Sequence, residues 1–252
     1  IYFHDPAPKT FTSILEWCKK KSYRFITLQE CYAILSGKIR QEGKVAYLSF
    51  DDGWQSNLNL IPIIDKYQAP ITIFVSIDPL LSGNFWWEYA LADGIELRNK
   101  MKLMSYKKFV SSLESLKKKY SLERSVLTEQ ELVKIASHPL VSIQSHTMSH
   151  PILTNCDDEI LSYELNSSKA YLENLLHHKI EAFSYPNGNF SNREIEAVKK
   201  AGYKMAFTTE YIPIQINHTN LYRIPRMAMN TYGGYYENLS KILGIWQDIL
   251  KK

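Results

Sequence analysis

The chain alternates short apolar runs with longer segments whose apolar residues recur at helical spacing. Val45-Ala46-Tyr47-Leu48-Ser49-Phe50 and Ile71-Thr72-Ile73-Phe74-Val75 are rich in β-branched and aromatic residues and read as buried strands. Ile1 to His4, Val141 to Ser145, Ala182 to Tyr185, Lys204 to Thr208 and Leu221 to Ile224 give shorter versions of the same pattern. Between them, Phe11, Ile14, Leu15, Trp17 and Cys18 mark one face of an amphipathic helix over Thr10 to Lys21. Thr27, with Glu30 three positions on, forms a capping box that starts the next helix. Helices are also predicted over Leu58 to Tyr67, Asp157 to Leu176, and Asn192 to Ala201, where Gly202 suits the residue after a helix end.

Strand, loop and helix succeed one another often enough to require a parallel sheet, either a barrel or a doubly wound fold. From about Phe85 to Ser137 the rhythm breaks into a mainly helical stretch rich in Lys, Glu and Ser. It reads as an insertion between two strands, forming either a flap over a site or extra outer helices. There is no internal repeat, low-complexity tract or linker, so residues 1–252 are expected to form one domain. A hydrophobic content of 45% and a charged content of 22% are those of an ordinary globular protein. The net charge of +4 is spread along helical segments such as Lys19 to Lys21 and Lys117 to Lys119. These runs are solvated faces without interleaved aromatics, and no nucleic-acid surface is expected. Cys18, Cys31 and Cys156 have neither disulfide-framework nor CxxC spacing. No stretch reaches the roughly 18 apolar residues of a membrane span, and no signal peptide is visible. Cytoplasmic and cell-envelope locations both stay open, as does the oligomeric state.

The chemistry collects where strands end. In parallel α/β folds, active sites lie at the carboxyl ends of strands. The strand from Val45 delivers Asp51 and Asp52, the strand from Val141 delivers His146, with His150 four residues on, and the strand from Ala182 delivers Pro186-Asn187-Gly188. The strand from Leu221 delivers Pro225 and Arg226. Adjacent carboxylates at the end of an apolar strand repel each other unless a cation sits nearby. A metal held by one of them relieves that repulsion and frees the other as a general base. Two histidines at i and i+4 can face the same ion if one helical turn joins them. Together with a carboxylate they leave open positions for water and substrate. Taken singly, Asp-Gly is a common turn and HxxxH a common local hydrogen-bonding pair. Their combination at strand ends is what points to a metal hydrolase.

These residues resemble a known family. Ser49-Phe50-Asp51-Asp52-Gly53 resembles the first motif of the polysaccharide deacetylases (the NodB-homology group, carbohydrate esterase family 4), usually TFDDG. Ser145-His146-Thr147-Met148-Ser149-His150 is similar to the second motif, and Ser184-Tyr185-Pro186-Asn187-Gly188 to the third, often RPPYG. Ile71 to Val75 resembles the family's ATxF segment, and Tyr2-Phe3-His4 the YH element of one branch. The resemblance runs from about residue 44 to residue 230. It implies a distorted (β/α) barrel of seven parallel strands acting on a carbohydrate by removing N-acetyl or O-acetyl groups. It also implies a divalent metal, commonly Zn, held by Asp52, His146 and His150. This donor set suits Co, Ni or Fe as well. Asp51 is then the general base that activates the attacking water, and a backbone N–H at Asn187 steadies the oxyanion.

Two departures qualify this reading. The third motif normally opens with an Arg that pairs with the catalytic Asp, and here that position is Ser184. Arg226 is the expected replacement and Arg223 the second choice. The family's late LxH histidine is also missing, which leaves His218 and His4 as weak candidates for the general acid. Trp54, Tyr185 and Pro186 are expected to line the substrate site, with Trp86 and Trp87 either joining them or packing in the core. Two competing readings remain: a catalytically impaired relative that binds glycan, and a deacylase or amidohydrolase acting on a small metabolite.

Overall fold

The structure is a computed structural model, and it describes residues 1–212, 214, 219–231 and 233–244. Among these, seven strands form one parallel sheet: β1 (Tyr2–Phe3), β2 (Tyr23–Ile26), β3 (Lys44–Phe50), β4 (Ile71–Val75), β5 (Val141–Ser145), β6 (Ala182–Ser184) and β7 (Met205–Phe207). The order is β1-β3-β4-β5-β6-β7, with β2 paired to the first half of β3. Every registered pairing is parallel. This is the curled (β/α) sheet that the resemblance implied. The strand interiors are nearly all buried because helices cover the outside and side chains fill the inside.

The sheet curls toward closure through an irregular segment. Ile224 bridges β7 at Phe207, and Ala228 bridges β1 at Tyr2. Backbone bonds run from Thr208 N–H to Ile224 O, Tyr2 N–H to Met227 O and Met229 N–H to Tyr2 O. Arg226 lies between the two bridges and is carried into the barrel. The strand expected over Leu221 to Ile224 is reduced to the single bridge at Ile224. The Asn220 side chain accepts the Tyr222 N–H and the Asn220 carbonyl accepts that of Arg223, which makes a turn there. Pro225 then has no N–H to extend a ladder. Strand β2 was not expected, because its four residues run directly into the helix cap at Thr27.

Outside the sheet lie α1 (Pro8–Lys20), α2 (Leu28–Leu35), α3 (Ile61–Tyr67), α4 (Ile77–Ser82), α9 (Asp158–Leu176), α10 (Asn192–Lys200) and α11 (Tyr235–Ile242). Four helices fill the insertion between β4 and β5: α5 (Trp86–Asp93), α6 (Ile95–Met101), α7 (Tyr106–Lys119) and α8 (Glu129–Ala136). Trp86, Tyr89, Met101, Phe109 and Leu116 give it an apolar cluster of its own. Its return segment is stitched to the loop after β3, with Gln55 N–H donating to Ser125 O and Leu127 N–H to Gly53 O. The insertion is therefore pinned beside the residues that follow Asp52.

The capping box at α2 forms as the sequence predicts. Thr27 Oγ1 accepts the Glu30 N–H at 3.1 Å, and Glu30 accepts the Thr27 N–H at 2.9 Å. Thr27→Ala removes this cap, which lies beside the first residues of β4 and β5 and does not line the cavity. It is expected to lower the unfolding free energy by about 1 kcal/mol in a urea titration.

Candidate metal centre and active site

Asp51 and Asp52 follow β3 and are both buried, at 2% and 3% exposure. Their side chains separate because Asp52 adopts a left-handed backbone conformation, with φ of 81°. Such a conformation is costly for a non-glycine residue and persists only where surrounding contacts enforce it. Asp51 stays in line with the sheet, its N–H bonded to Phe3 O of β1 at 2.9 Å.

Arg226 grips Asp51 with two parallel bonds, Nη1 to Oδ1 and Nη2 to Oδ2, each 2.7 Å. Its remaining donors reach Ser49 Oγ at 3.0 Å, Ser184 Oγ at 2.7 Å and Thr208 O at 3.1 Å. Ser184 Oγ in turn donates to Asp51 Oδ2 at 3.2 Å. The position that lacks the motif Arg thus holds a hydroxyl that relays between Arg226 and Asp51. Burial alone would raise the Asp51 carboxyl. The Arg226 charge and hydrogen bonds, with smaller contributions from His146 and His4, hold it below the ordinary carboxylate value. Arg223, the second choice, pairs with Glu210 instead.

His146 and His150 are not joined by a helical turn, which corrects the expectation from their spacing. Residues 146–150 form an irregular loop in which Thr147 and His150 have φ of 75° and 54°. Glu164 of α9, fully buried, holds this loop by accepting the Met148 and Ser149 N–H groups at 2.8 and 2.9 Å and the Ser149 hydroxyl at 2.6 Å. From the other side, Ile77 and Asp78 at the start of α4 donate their N–H groups to Thr147 O and Met148 O. Ser76 ties both halves of the centre together: its Oγ donates to His146 O at 2.6 Å and its N–H to Asp52 O at 3.4 Å. Glu164 and Ser76 carry no motif signal. A Glu inside an amphipathic helix and a Ser at a strand end look ordinary in sequence.

The donor atoms of Asp52, His146 and His150 all lie within 4.8 Å of one another. The His146 and His150 Nε2 atoms are 3.5 and 3.4 Å from Asp52 Oδ1. These separations are long for N–H···O hydrogen bonds. They match ligands sharing a tetrahedral ion, since donors about 2.0–2.1 Å from zinc sit about 3.3 Å apart. The tautomer of His146 agrees with this. Its Nδ1 lies 2.7 Å from Ser184 O, an atom that can only accept, so Nδ1 carries the proton. In the neutral ring the Nε2 lone pair then faces a carboxylate oxygen, an arrangement that a cation between them makes favourable. Burial, against the pull of Asp52, lowers His150 below the usual histidine value, which keeps it a neutral ligand. Trp54 Nε1 donates to the second Asp52 oxygen at 3.0 Å. The cluster is compatible with a divalent metal.

The centre opens into a cavity of about 570 Å³. Trp54 and Asn187 line it, and so does His4 at the end of β1. Trp87 lines it too, stacked on Phe85 at 4.4 Å and edge-on to His150 at 4.7 Å. Trp86 also reaches the cavity wall but is mostly buried in the insertion core, and its Nε1 donates to His150 O at 3.0 Å. Tyr185 and Pro186 are a correction: both are buried and neither lines the cavity. Tyr185 stacks on Phe190 and donates its hydroxyl to Tyr222 O, so it belongs to the core. Asn187 has a left-handed φ of 56°. At Gly188, with φ of 76°, a Cβ would fall 1.9 Å from Thr209 Oγ1, which explains the glycine of the third motif. His218 lies outside the described residues.

Known proteins resemble this chain in sequence and in fold. The sequence model for polysaccharide deacetylase matches residues 38–206. YxkH of Bacillus subtilis (strain 168), named for the same family, is 25% identical over 239 residues, covering 92% of this chain and 70% of that protein. The poly-β-1,6-N-acetyl-D-glucosamine N-deacetylase of Staphylococcus aureus is 26% identical over 229 residues, covering 90% of this chain and 68% of the relative. Among solved structures, the Streptococcus pyogenes deacetylase PplD, in complex with acetate, superposes with a TM-score of 0.63 at 22% identity, over 93% of this chain and 85% of that one. IcaB from Ammonifex degensii superposes with a TM-score of 0.66 at 18% identity, over 91% of each chain. With its matching family model and its seven-stranded parallel sheet, the chain belongs to the polysaccharide deacetylase family.

Proposed function

We propose that this protein is a metal-dependent hydrolase that removes N-acetyl groups, or O-acetyl groups, from a carbohydrate. The observation that carries the reading is the buried Asp52, His146 and His150 cluster beside the Asp51–Arg226 pair. The S. aureus relative, named for N-deacetylation of a glucosamine polymer, supports the amide over the ester. Asp52, His146 and His150 would hold the metal, Zn or, on the same donor set, Co, Ni or Fe. Bound there, it supplies a Lewis acid for the acetyl carbonyl.

The chain's own residues do the rest. Asp51, kept ionised by Arg226, accepts a proton from the attacking water. Asp51 Oδ2 accepts from both Arg226 and Ser184, but Oδ1 accepts from Arg226 alone and retains a free lone-pair direction, so the base is oriented without being blocked. The Asn187 N–H stabilises the oxygen of the tetrahedral intermediate. When the C–N bond breaks, the leaving amine needs a proton. Asp51 returns the one it took, since its depressed value makes its protonated form a good acid. This offsets the missing late histidine, and His4 at the cavity wall is the alternative donor. The single domain over residues 1–252 is part of the same proposal, as is Trp54 as a wall of the sugar site. Because Arg226 restores the Asp51 partner, the impaired, glycan-binding reading loses its main support.

Acetate release from acetylated β-1,6-linked glucosamine oligomers is expected to stop on chelation and return with added zinc. Asp51→Asn is expected to lower kcat by about 10²–10⁴-fold with zinc content unchanged. A variant that keeps near-wild-type turnover removes Asp51 from the mechanism. Arg226→Gln leaves a buried carboxylate without its guanidinium and is expected to cost about 3–5 kcal/mol of folding stability at neutral pH. The Asp51 carboxyl is depressed in the folded state. Its stabilisation is therefore present above the unfolded carboxylate value and is lost as pH falls through the folded one. The difference between wild type and Arg226→Gln in denaturant titrations should accordingly shrink on acidification.

A further inference from the structure

The wall of the cavity opposite the sheet carries two cations that the reaction does not use. Arg98 lies in α6 and Lys102 at its end, four residues on and so on the same helix face. Both are half-buried and line the cavity together with Asp51, Asp52, His146 and His150. The insertion's Lys100, Lys107 and Lys108 are exposed and do not line it.

Among the described residues, neither cation pairs with a carboxylate. Lys102 Nζ donates to Asn187 Oδ1 at 2.8 Å, and Arg98 donates Nε and Nη2 to the neighbouring Asn99 Oδ1 at 3.2 and 2.8 Å. That leaves two ammonium donors and three guanidinium donors to spare. Every cavity carboxylate is otherwise engaged. Asp51 faces Arg226, Asp52 faces the imidazoles and Trp54, Glu88 accepts from Phe85 N–H and Ser125 Oγ, and Asp5 accepts from Ser56 Oγ. Two like charges at this spacing repel. Burial, and then the Arg98 charge, lower the Lys102 ammonium below its usual value. The pair is nonetheless held in place: Asn155 Nδ2 donates to Lys102 O at 2.9 Å, and the adjacent Met101 is buried in the insertion core. A fixed, unmatched pair of this kind fits an anion.

We infer that the cavity takes an acetylated sugar carrying an oxyanion substituent, a carboxylate or a phosphate, which Arg98 and Lys102 bind while the acetyl group reaches Asp51 and Asp52. This rests on the deacetylase reading above for the acetyl group, and the anion site can be tested separately from it. The zinc-loaded protein would be titrated calorimetrically with N-acetylglucosamine, N-acetylmuramic acid and N-acetylglucosamine 6-phosphate, with acetate release followed on the same three. Both anionic sugars are expected to bind about tenfold more tightly than the neutral one at low salt, and less so at high salt. Whichever gains more, the lactyl carboxylate or the phosphate, names the source of the anion. In the Arg98→Gln/Lys102→Gln double variant, whose fold is checked by thermal melting, the anionic-to-neutral affinity ratio should fall to near one. Equal affinities in the wild type overturn the inference. So does a preference that survives in the double variant, because the anion then sits elsewhere, for example on the metal. Absence of acetate release from all three sugars counts against the deacetylase reading, while the binding ratios still decide the anion site.

Discussion

Two adjacent carboxylates are buried at the end of one strand, and each must meet positive charge without sharing the other's partner. Asp51 and Asp52 cannot both be ionised in that position if they face the same way. The left-handed turn at Asp52 solves this by aiming the two side chains at different neighbours. Asp51 meets the guanidinium of Arg226, and Asp52 meets two imidazoles at distances suited to a shared cation. Much of the surrounding structure serves that division. The segment between β7 and β1 exists as a bridge rather than a strand and delivers Arg226 inward. Ser76 and Glu164 hold the histidine loop in a conformation its residues would not adopt alone.

The strand ends were legible in the sequence because a buried strand that stops at a charged pair is hard to explain by packing. Asp51, Asp52, His146 and His150 stood out for that reason, and the missing motif Arg directed attention to Arg226. Other features were not legible because their sequence signal is shared with ordinary structure. An i, i+4 histidine pair looks the same on a helical turn as on a left-handed loop, and only the backbone angles separate them. Tyr185 at a strand end reads equally as a sugar platform or as core, and Phe190 and Tyr222 decide for core. Glu164 acts on loop residues 15 and 16 positions before it, a relation that no local pattern reveals.

The insertion changes what the site can hold. In sequence it reads as surface helices with many lysines. In the structure it forms one wall of the cavity, placing Trp87, Arg98 and Lys102 on the same cavity as the Asp52, His146 and His150 cluster. Its attachment at Gly53 and Gln55 couples that wall to the loop that carries Asp52. The barrel thus supplies the reactive groups and the insertion supplies much of the surface against which a sugar would be chosen.

The central claim is that Asp52, His146 and His150 share one ion. Anomalous diffraction at the zinc edge, on crystals of the zinc-loaded protein, tests it most directly. The account predicts a single strong peak in the cavity, about 2.0–2.2 Å from an Asp52 carboxylate oxygen and from one ring nitrogen of each histidine. A cavity without a peak, or an ion bound through other residues, would contradict it.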